Sequence, residues 1–385
     1  MSSPFDPLGS TVSEWQDLAD SWSHPRYRGR QIFEALHRTG HRDYALMREL
    51  PGALRERLAR EAPLFLPSVA RRDPSSDGSV KYGLRLADGA LIEAVFMPGT
   101  RSFSEANEFE DARAHPAGAP PLRARPSAGS SAPLSKFTVC LSSQTGCAVD
   151  CAFCVTGRLG AGRNLSGGEI LGQLYAVLDD VGRSTEGLRI VFMGMGEPFL
   201  NTDGVSRSLD LLFDRVSPRR VTVSTSGITP AFERFASRER RPNLAVSINA
   251  ADSETRTRLM PITRTYPLEG VVAAMRAWPL ESHRRMTAEY VLIAGVNDSP
   301  EDAGRLARLL AGLRVKVNVI PLNEDPVYLP GWKRPSEDAI DRFAARLSAG
   351  GLPVTVRRSR GPDASAACGQ LKGRTVDPRR GKVER

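Results

Sequence analysis

Three cysteines lie within eight residues of one another in the run Cys147-Ala-Val-Asp-Cys151-Ala-Phe-Cys154, and this run constrains the chain more than any other feature. Short-spaced cysteines of this kind are typical of iron–sulfur clusters, which are held by thiolates. Three thiolates on one loop would leave the fourth iron of a 4Fe–4S cluster free to bind a small molecule. A zinc site with Cys140 as the fourth ligand is the alternative, although zinc ligands usually come as two short-spaced pairs.

The second half of the chain alternates between strand-like and helix-like segments. Six apolar runs are predicted as strands, at residues 137–142, 188–194, 220–225, 243–248, 287–293 and 315–321. Ser166 and Glu169 form a capping-box pattern, which predicts the start of one intervening helix. The alternation predicts a parallel sheet, either an open doubly wound sheet or a partial (β/α) barrel. In both folds the active site lies at the carboxyl ends of the strands, and the cysteine run directly follows the first strand.

Other segments flank this α/β region. The apolar spacing between residues 12 and 65 is helical, and residues 80–97 alternate around Asp88-Gly89, which predicts a β-hairpin with a two-residue turn. The next segment is rich in Pro, Ala, Gly and Ser, so we expect a flexible insertion there. The predicted organisation is a helical accessory domain at 1–79, a β-hairpin extension at 80–98, a flexible insertion at 99–135, the α/β region at 136–360 and a C-terminal segment with a basic tail at 361–385.

The chain carries 53 Lys and Arg against 44 Asp and Glu, which gives a net charge of +9. A positive balance favours a polyanionic partner, and nucleic acid is the commonest one. No apolar run approaches the ~20 residues that span a bilayer, and the N-terminus lacks the basic and apolar regions of a signal peptide. We therefore expect a cytoplasmic protein without membrane association.

Polar residues follow the ends of several predicted strands. They are Gly196 and Glu197 after the second strand, Ser224 in the third, Ser247 and Asn249 in and after the fourth, and Asn318 and Asn323 around the end of the sixth. Glycine lets a ligand approach the backbone closely, and hydroxyl and amide groups suit a ribose or a carboxylate. Any one of them could merely cap a helix, but their recurrence at successive strand ends favours a binding site.

Four segments together identify a resemblance to one family. CLSSQTGCAVDCAFC (140–154), GMGEPFLN (194–201), STSG (224–227) and RGPDASAACGQL (360–371) resemble the RlmN/Cfr group of radical S-adenosylmethionine (SAM) RNA methyltransferases, which methylate a ring carbon of adenine. The resemblance implies a partial (β/α)6 TIM-type barrel, a 4Fe–4S cluster on Cys147, Cys151 and Cys154, and two SAM molecules per turnover. The group's cofactors supply the radical, and the protein positions them.

The same resemblance gives roles to the two cysteines outside the triplet. Cys368 would take a methyl group from one SAM, and a radical formed from the second SAM would remove a hydrogen atom from that S-methyl group. The methylene radical would add to adenine and give a protein–RNA thioether. Cys140 would then attack the sulfur of Cys368 and release the methylated RNA, which is thiol exchange chemistry. Glu93 matches the group's proton acceptor, although a strand glutamate is more often simply exposed.

Seven residues would contact SAM by the same correspondence. They are Gly196, Glu197, Ser224, Ser247, Ile248, Asn249 and Asn323. Position 249 is usually His in the group, and Asn keeps the hydrogen-bonding capacity but does not titrate near neutral pH. The insertion at 99–135 is a second departure from the group, near the expected RNA entrance.

The resemblance also implies a substrate. We expect methylation at carbon 2 (C2) of an adenosine in the peptidyl-transferase region of 23S rRNA, with tRNA anticodon loops as a further candidate, by a monomer that receives electrons from a donor such as a flavodoxin. Methylation at carbon 8 (C8) of the same base is the alternative activity, because the motifs are shared. A zinc-containing RNA-binding protein without catalysis is the alternative from another class, but it leaves Cys368 unexplained.

Overall fold

The computed structural model describes residues 5–99, 136–357 and 370–371. Ten strands form a single sheet, and each strand lies beside its neighbour in the chain, from β1 to β10 in order. The strands are β1 (Ser68–Pro74), β2 (Val80–Arg85), β3 (Leu91–Pro98), β4 (Phe137–Cys140), β5 (Leu188–Phe192), β6 (Val221–Thr225), β7 (Asn243–Ser247), β8 (Met286–Leu292), β9 (Val315–Pro321) and β10 (Val354–Val356).

Helices connect the strands of the second half and cover the sheet. The helices are α1 (Val12–Ser21), α2 (Tyr27–Glu34), α3 (Gly52–Glu61), α4 (Val155–Arg158), α5 (Gly167–Val181), α6 (Thr202–Leu212), α7 (Thr229–Ala236), α8 (Ser253–Leu259), α9 (Leu268–Ala277), α10 (Pro300–Leu309) and α11 (Glu337–Ala349). A π-helical turn, Ala35–Thr39, continues α2, and short 3₁₀ turns lie at Tyr44–Leu46, Pro198–Leu200, Pro218–Arg220 and Pro261–Arg264. None of the helices in the described ranges is long and apolar enough to cross a membrane.

The parallel region confirms the predicted partial barrel. All six predicted strands are present, as β4 to β9, and every adjacent pair among them is parallel. The short strand β10 adds a seventh parallel strand beside β9, which the sequence analysis did not predict. The capping box at Ser166 is also confirmed, since its side chain accepts from Glu169 N and starts α5.

The β-hairpin is confirmed, but its turn is longer than predicted. Leu86 N donates to Ala90 O and Gly89 N donates to Leu86 O, so three residues lie between the paired positions. Gly89 has a φ of 84°, the left-handed value that this three-residue loop requires. The strand β1, which was not predicted, pairs antiparallel with β2 and lengthens the extension.

The hairpin continues directly into the barrel sheet, because β3 pairs antiparallel with β4. Pro98, the last residue of β3, is paired with Phe137, the first residue of β4, so the two strands are directly opposite each other where the chain passes from one to the other. Most of the predicted insertion, residues 100–135, lies outside the described residues. This register keeps the hairpin joined to the barrel sheet on both sides of that segment.

One continuous hydrophobic core joins the N-terminal helices, the extension and the barrel. Trp15 of α1 and Leu58 of α3 belong to the same buried cluster as Ile92 of β3 and Val317 of β9. His37 of the π-helical turn also reaches the barrel, where its Nδ1 lies 2.7 Å from the hydroxyl of Tyr175 on α5. The accessory segment therefore packs as part of the same body as the barrel.

Candidate active site

The cysteine loop follows β4 at the carboxyl edge of the parallel strands. Backbone contacts hold it, because Cys147 N donates to Gly160 O at 2.9 Å and Ala152 N donates to Leu259 O at 2.9 Å. The thiols of Cys147, Cys151 and Cys154 all line one cavity and are free of disulfides. The structure thus brings the three predicted ligands together at the edge where the sequence places the site.

The cavity opens at the carboxyl ends of the strands and contains about 940 Å³ of space, part of it open to solvent. Six of the seven residues predicted to bind SAM line it, namely Gly196, Glu197, Ser224, Ser247, Asn249 and Asn323. The cysteines and the polar strand ends therefore face the same space.

Ile248 is the seventh residue, and it does not line the cavity. Its side chain is fully buried, its N donates to Glu289 O at 2.9 Å and its O accepts from Arg256 Nε at 3.1 Å. Of the predicted residues in this segment, Ser247 and Asn249 line the cavity, and Ile248 does not. A one-residue step reverses the face of a strand, so Ser247 faces the cavity and Ile248 faces the core.

Three thiols on one cavity wall are a donor set that fits an iron–sulfur cluster, because such clusters are held by thiolates. Burial raises the pKa of Cys147 to about 12 and raises that of Cys151 well above its ordinary value, and the neighbouring thiols add to both shifts. Thiolates at this site therefore need a bound cation, and metal binding would displace their protons. Within the described ranges no group of three or more His, Cys, Asp or Glu is placed to hold one metal ion, whereas a cluster binds each thiolate at a separate iron.

Glu197 is a buried carboxylate on the cavity wall, held by two backbone amides. Its Oε1 accepts from Phe199 N at 2.8 Å and its Oε2 accepts from Ser226 N at 2.7 Å. Burial raises the pKa of Glu197, and these hydrogen bonds oppose the increase. Gly196, with a φ of 96°, packs against the side chain of Gln144, where a Cβ would come within 2.6 Å. Glycine at this position therefore permits the close packing of Gln144.

Asn249 has a φ of 56°, a left-handed conformation that Asn tolerates better than most residues. Its Oδ1 accepts from Val291 N at 2.8 Å, and its Nδ2 lies 3.1 Å from the sulfur of Met260. Its backbone O accepts from Asn297 Nδ2 at 2.8 Å. The Asn249 side chain therefore ties β7 to β8 at the cavity floor in addition to lining the cavity.

The predicted catalytic residues outside the triplet lie behind the cavity wall or beyond the described residues. Cys140 is the last residue of β4, is 7% exposed and pairs with Val95 and Val191 of the adjacent strands. Cys368 lies outside the described residues. The described residues that follow it dock beside the cysteine loop, since Thr156 Oγ1 donates to Leu371 O at 2.7 Å.

Glu93 lies on β3 and is 3% exposed, so it is not a strand-surface carboxylate. Its Oε1 lies 3.2 Å from Arg71 Nη2 and 3.7 Å from the Nζ of the buried Lys81. Two cationic side chains therefore lie beside the Glu93 carboxylate. Ser142 Oγ donates to Glu93 O at 2.6 Å, which links this strand to the start of the cysteine loop.

Two charged cavity residues were missed by the sequence analysis. Glu289 of β8 is buried, its Oε1 accepts from Asn318 Nδ2 at 3.2 Å and its Oε2 has no hydrogen-bond partner. Burial raises the pKa of Glu289, while Arg357 and Lys316 oppose the increase. Arg357, directly after β10, reaches across the cavity to the sulfur of Met193 at 3.6 Å. The sequence could have indicated Glu289, because it is a glutamate inside the otherwise largely apolar run TAEYVLI.

Comparison with known proteins agrees with this geometry. Residues 141–307 match the radical SAM superfamily. The chain is 42% identical over 353 residues to the probable dual-specificity RNA methyltransferase RlmN of Koribacter versatilis, covering 90% of this chain and 96% of that protein. It is also 42% identical over 376 residues to the dual-specificity RNA methyltransferase RlmN of Sorangium cellulosum, covering 96% of each.

This chain belongs to the RlmN family of radical SAM RNA methyltransferases. The crystal structure of a radical SAM methyltransferase from Sphaerobacter thermophilus is 39% identical, superimposes with a TM-score of 0.82 and covers 96% of this chain and 100% of that one. Membership of the RlmN family means that the chain is a SAM-dependent RNA methyltransferase that uses a radical mechanism. The non-catalytic zinc alternative is therefore wrong.

Proposed function

We propose that this protein methylates C2 of an adenosine in the peptidyl-transferase region of 23S rRNA and in tRNA anticodon loops. The proposal rests on the close relation, over nearly the whole chain, to proteins named dual-specificity RNA methyltransferases. It is supported by the cavity, which is lined by both the cysteine triplet and the polar residues at the strand ends. This relation favours C2 over C8 as the methylated carbon.

The cofactors are a 4Fe–4S cluster on Cys147, Cys151 and Cys154 and SAM in the adjoining cavity. When bound, they supply the methyl group and the radical that activates it. Glu197 presents its carboxylate and neighbouring backbone toward the SAM amino group, and Ser224, Ser247 and Asn323 offer polar groups to the rest of the cofactor. Gly196 contributes its backbone to the same cavity wall.

The two remaining cysteines divide the methyl transfer between them. Cys368 accepts the methyl group on its sulfur and becomes covalently linked to the RNA, which splits one difficult step into easier ones. Cys140 attacks the sulfur of Cys368 and frees the methylated base, with a disulfide as the protein product. Glu93, which lies beside Lys81 and Arg71, accepts the proton that leaves the adenine ring. The docking of residues 370–371 beside the cysteine loop supports a Cys368 that acts at this cavity.

Substrate binding follows from the basic charge of the chain. An enzyme that acts on a base must unstack it and hold the neighbouring backbone, and Lys and Arg contacts to phosphates give an affinity that falls with salt. We propose that the enzyme works as a cytoplasmic monomer and receives electrons from a flavodoxin-like donor.

The activity is tested with anaerobically reconstituted protein, SAM, a reductant and either 23S rRNA or tRNA. Nucleosides from the digested RNA are separated and weighed by mass spectrometry. We expect 2-methyladenosine from both substrates with the wild type and none with Cys368→Ala. Formation of 8-methyladenosine without 2-methyladenosine, or purification of a chain that holds zinc and no iron, contradicts the proposal.

A further inference from the structure

Arg256 is a buried cation next to the candidate site, and none of the roles above uses it. It lies on α8 and is 0% exposed. Its guanidinium makes four hydrogen bonds: Nη2 donates to Ser226 O at 2.6 Å and to Ser247 O at 3.0 Å, Nε donates to Ile248 O at 3.1 Å, and Nη1 donates to Thr263 Oγ1 at 2.9 Å. One side chain therefore fixes the ends of both β6 and β7.

No carboxylate balances this charge at contact distance. Within the described residues 5–99, 136–357 and 370–371, Arg256 forms no ion pair, and Glu269 acts on it only at longer range. Burial lowers the pKa of Arg256 to about 10, so the group remains cationic at neutral pH. A buried charge that has hydrogen bonds but no carboxylate at contact distance among these residues is costly, and an anion bound nearby would offset this cost.

The cysteine loop lies against the helix that carries Arg256. Leu259, the last residue of α8, accepts a hydrogen bond from Ala152 N of the loop. Leu259 and Met260 form a small buried cluster against which Cys151 and Phe153 pack. The helix that carries Arg256 therefore packs against the thiol loop at its end, while the guanidinium of Arg256 holds the strand ends that face the cavity.

The peptide groups around Ser226 connect Arg256 to Glu197. The carbonyl of Ser226 accepts from the guanidinium, while the amide of the same residue donates to Glu197 Oε2. Ser247, which lines the cavity, is held through its carbonyl in the same way. Displacement of Arg256 would therefore loosen two segments that face the cofactor.

We propose that Arg256 is a positioning residue with two effects. Its planar guanidinium holds the strand ends that bind SAM, and its buried positive charge balances the negative charge of the cluster and its thiolates. This inference rests on the proposed function, because it requires the cluster. A cluster ligated by thiolates is anionic and gains further negative charge on reduction, so a fixed cation nearby favours the reduced form. Charge near the cluster is one of the recognised influences on its reduction potential.

The test is a redox titration of the reconstituted holoenzyme, monitored by electron paramagnetic resonance, with SAM affinity measured on the same samples by equilibrium dialysis. The variants are Arg256→Met, which removes the charge at similar length, and Arg256→Lys, which keeps the charge but not the fork. Arg258→Met is the matched control, because Arg258 lies on the same helix and is exposed.

We expect Arg256→Met to lower the midpoint potential by about 59 mV, a tenfold weaker one-electron reduction, and to weaken SAM binding about tenfold. Arg258→Met should match the wild type in both. Arg256→Lys should keep the potential and weaken SAM binding. A merely structural arginine would leave the potential unchanged.

Equal potentials for Arg256→Met and Arg258→Met overturn the inference. If Arg256→Met retains no cluster, the test is made with Arg256→Lys. A wild-type midpoint potential together with weakened SAM binding in Arg256→Lys supports the inference. A lowered midpoint potential, or wild-type SAM binding, overturns it. A wild-type protein that binds no cluster refutes the proposed cofactor instead, so the two failures are distinguishable.

Discussion

His37 should make the unfolding free energy of this protein depend on pH between 7 and 4. The ring is buried between the π-helical turn and α5, with Nδ1 2.7 Å from the hydroxyl of Tyr175. Burial lowers the pKa of His37 from 6.5 to about 4, and the cations Arg42 and Arg215 add to the decrease. Among the described residues, the Nε2 atom has no hydrogen-bond partner that could stabilise a second proton.

The sign follows from proton uptake by the unfolded chain. Below about pH 6.5 the unfolded chain binds a proton at this residue, whereas the folded protein does not until about pH 4, so stability falls as the pH decreases through this range. A shift of this size corresponds to about 3 kcal/mol in total, at 1.36 kcal/mol for each pKa unit. Roughly 2 kcal/mol of this is lost between pH 7 and pH 5.

Urea unfolding at pH 7 and pH 5, followed by circular dichroism, measures this effect for the wild type and for His37→Gln. Gln cannot titrate but can still hydrogen-bond to Tyr175, and the carboxylates titrate alike in both proteins. The wild type should lose about 2 kcal/mol more than the variant between the two pH values. Equal losses would show that His37 titrates as it does in the unfolded chain and refute the reasoning.

Three substitutions test other parts of the site. Glu197→Gln places a donor against Ser226 N or Phe199 N and should weaken SAM binding about tenfold, about 1.4 kcal/mol; unchanged affinity by calorimetry contradicts this. Asn249→Ala removes the acceptor for Val291 N and places Ala in a left-handed conformation, so it should lower the unfolding free energy by about 2 kcal/mol. An unfolding free energy within ~0.5 kcal/mol of the wild type would be typical of a surface site and contradicts this. Glu93→Gln should slow methylation about 10²-fold or more without changing the cluster absorption, and wild-type turnover rules out its role as proton acceptor.

The strands were predictable because their sequences carry the burial pattern directly. The run at 188–194 is almost entirely apolar, and every residue of β5 is buried or half-buried. The cysteine triplet was predictable because its three ligands come from one short loop, so that sequence spacing alone brings them together. The capping box at Ser166 is local for the same reason.

Features that depend on neighbouring strands were not predictable. The sequence around 247–249 does not reveal that Ile248 faces the core, because that depends on the register of β7 against β8. Arg256 looks like any helix arginine, and only the fold brings the carbonyls of Ser226 and Ser247 to it. The strand β10 is three residues long and has no pattern of its own, since it forms only by pairing with β9.

The most direct test of the account supplies SAM with a trideuterated methyl group and counts deuterium in the 2-methyladenosine produced. If Cys368 carries the methyl group and loses one hydrogen atom from it before the carbon joins adenine, the product methyl keeps two of the three deuterium atoms. Cys140→Ala should retain the RNA on the protein through Cys368. A product that keeps all three deuterium atoms means direct transfer from SAM and contradicts the central role of Cys368.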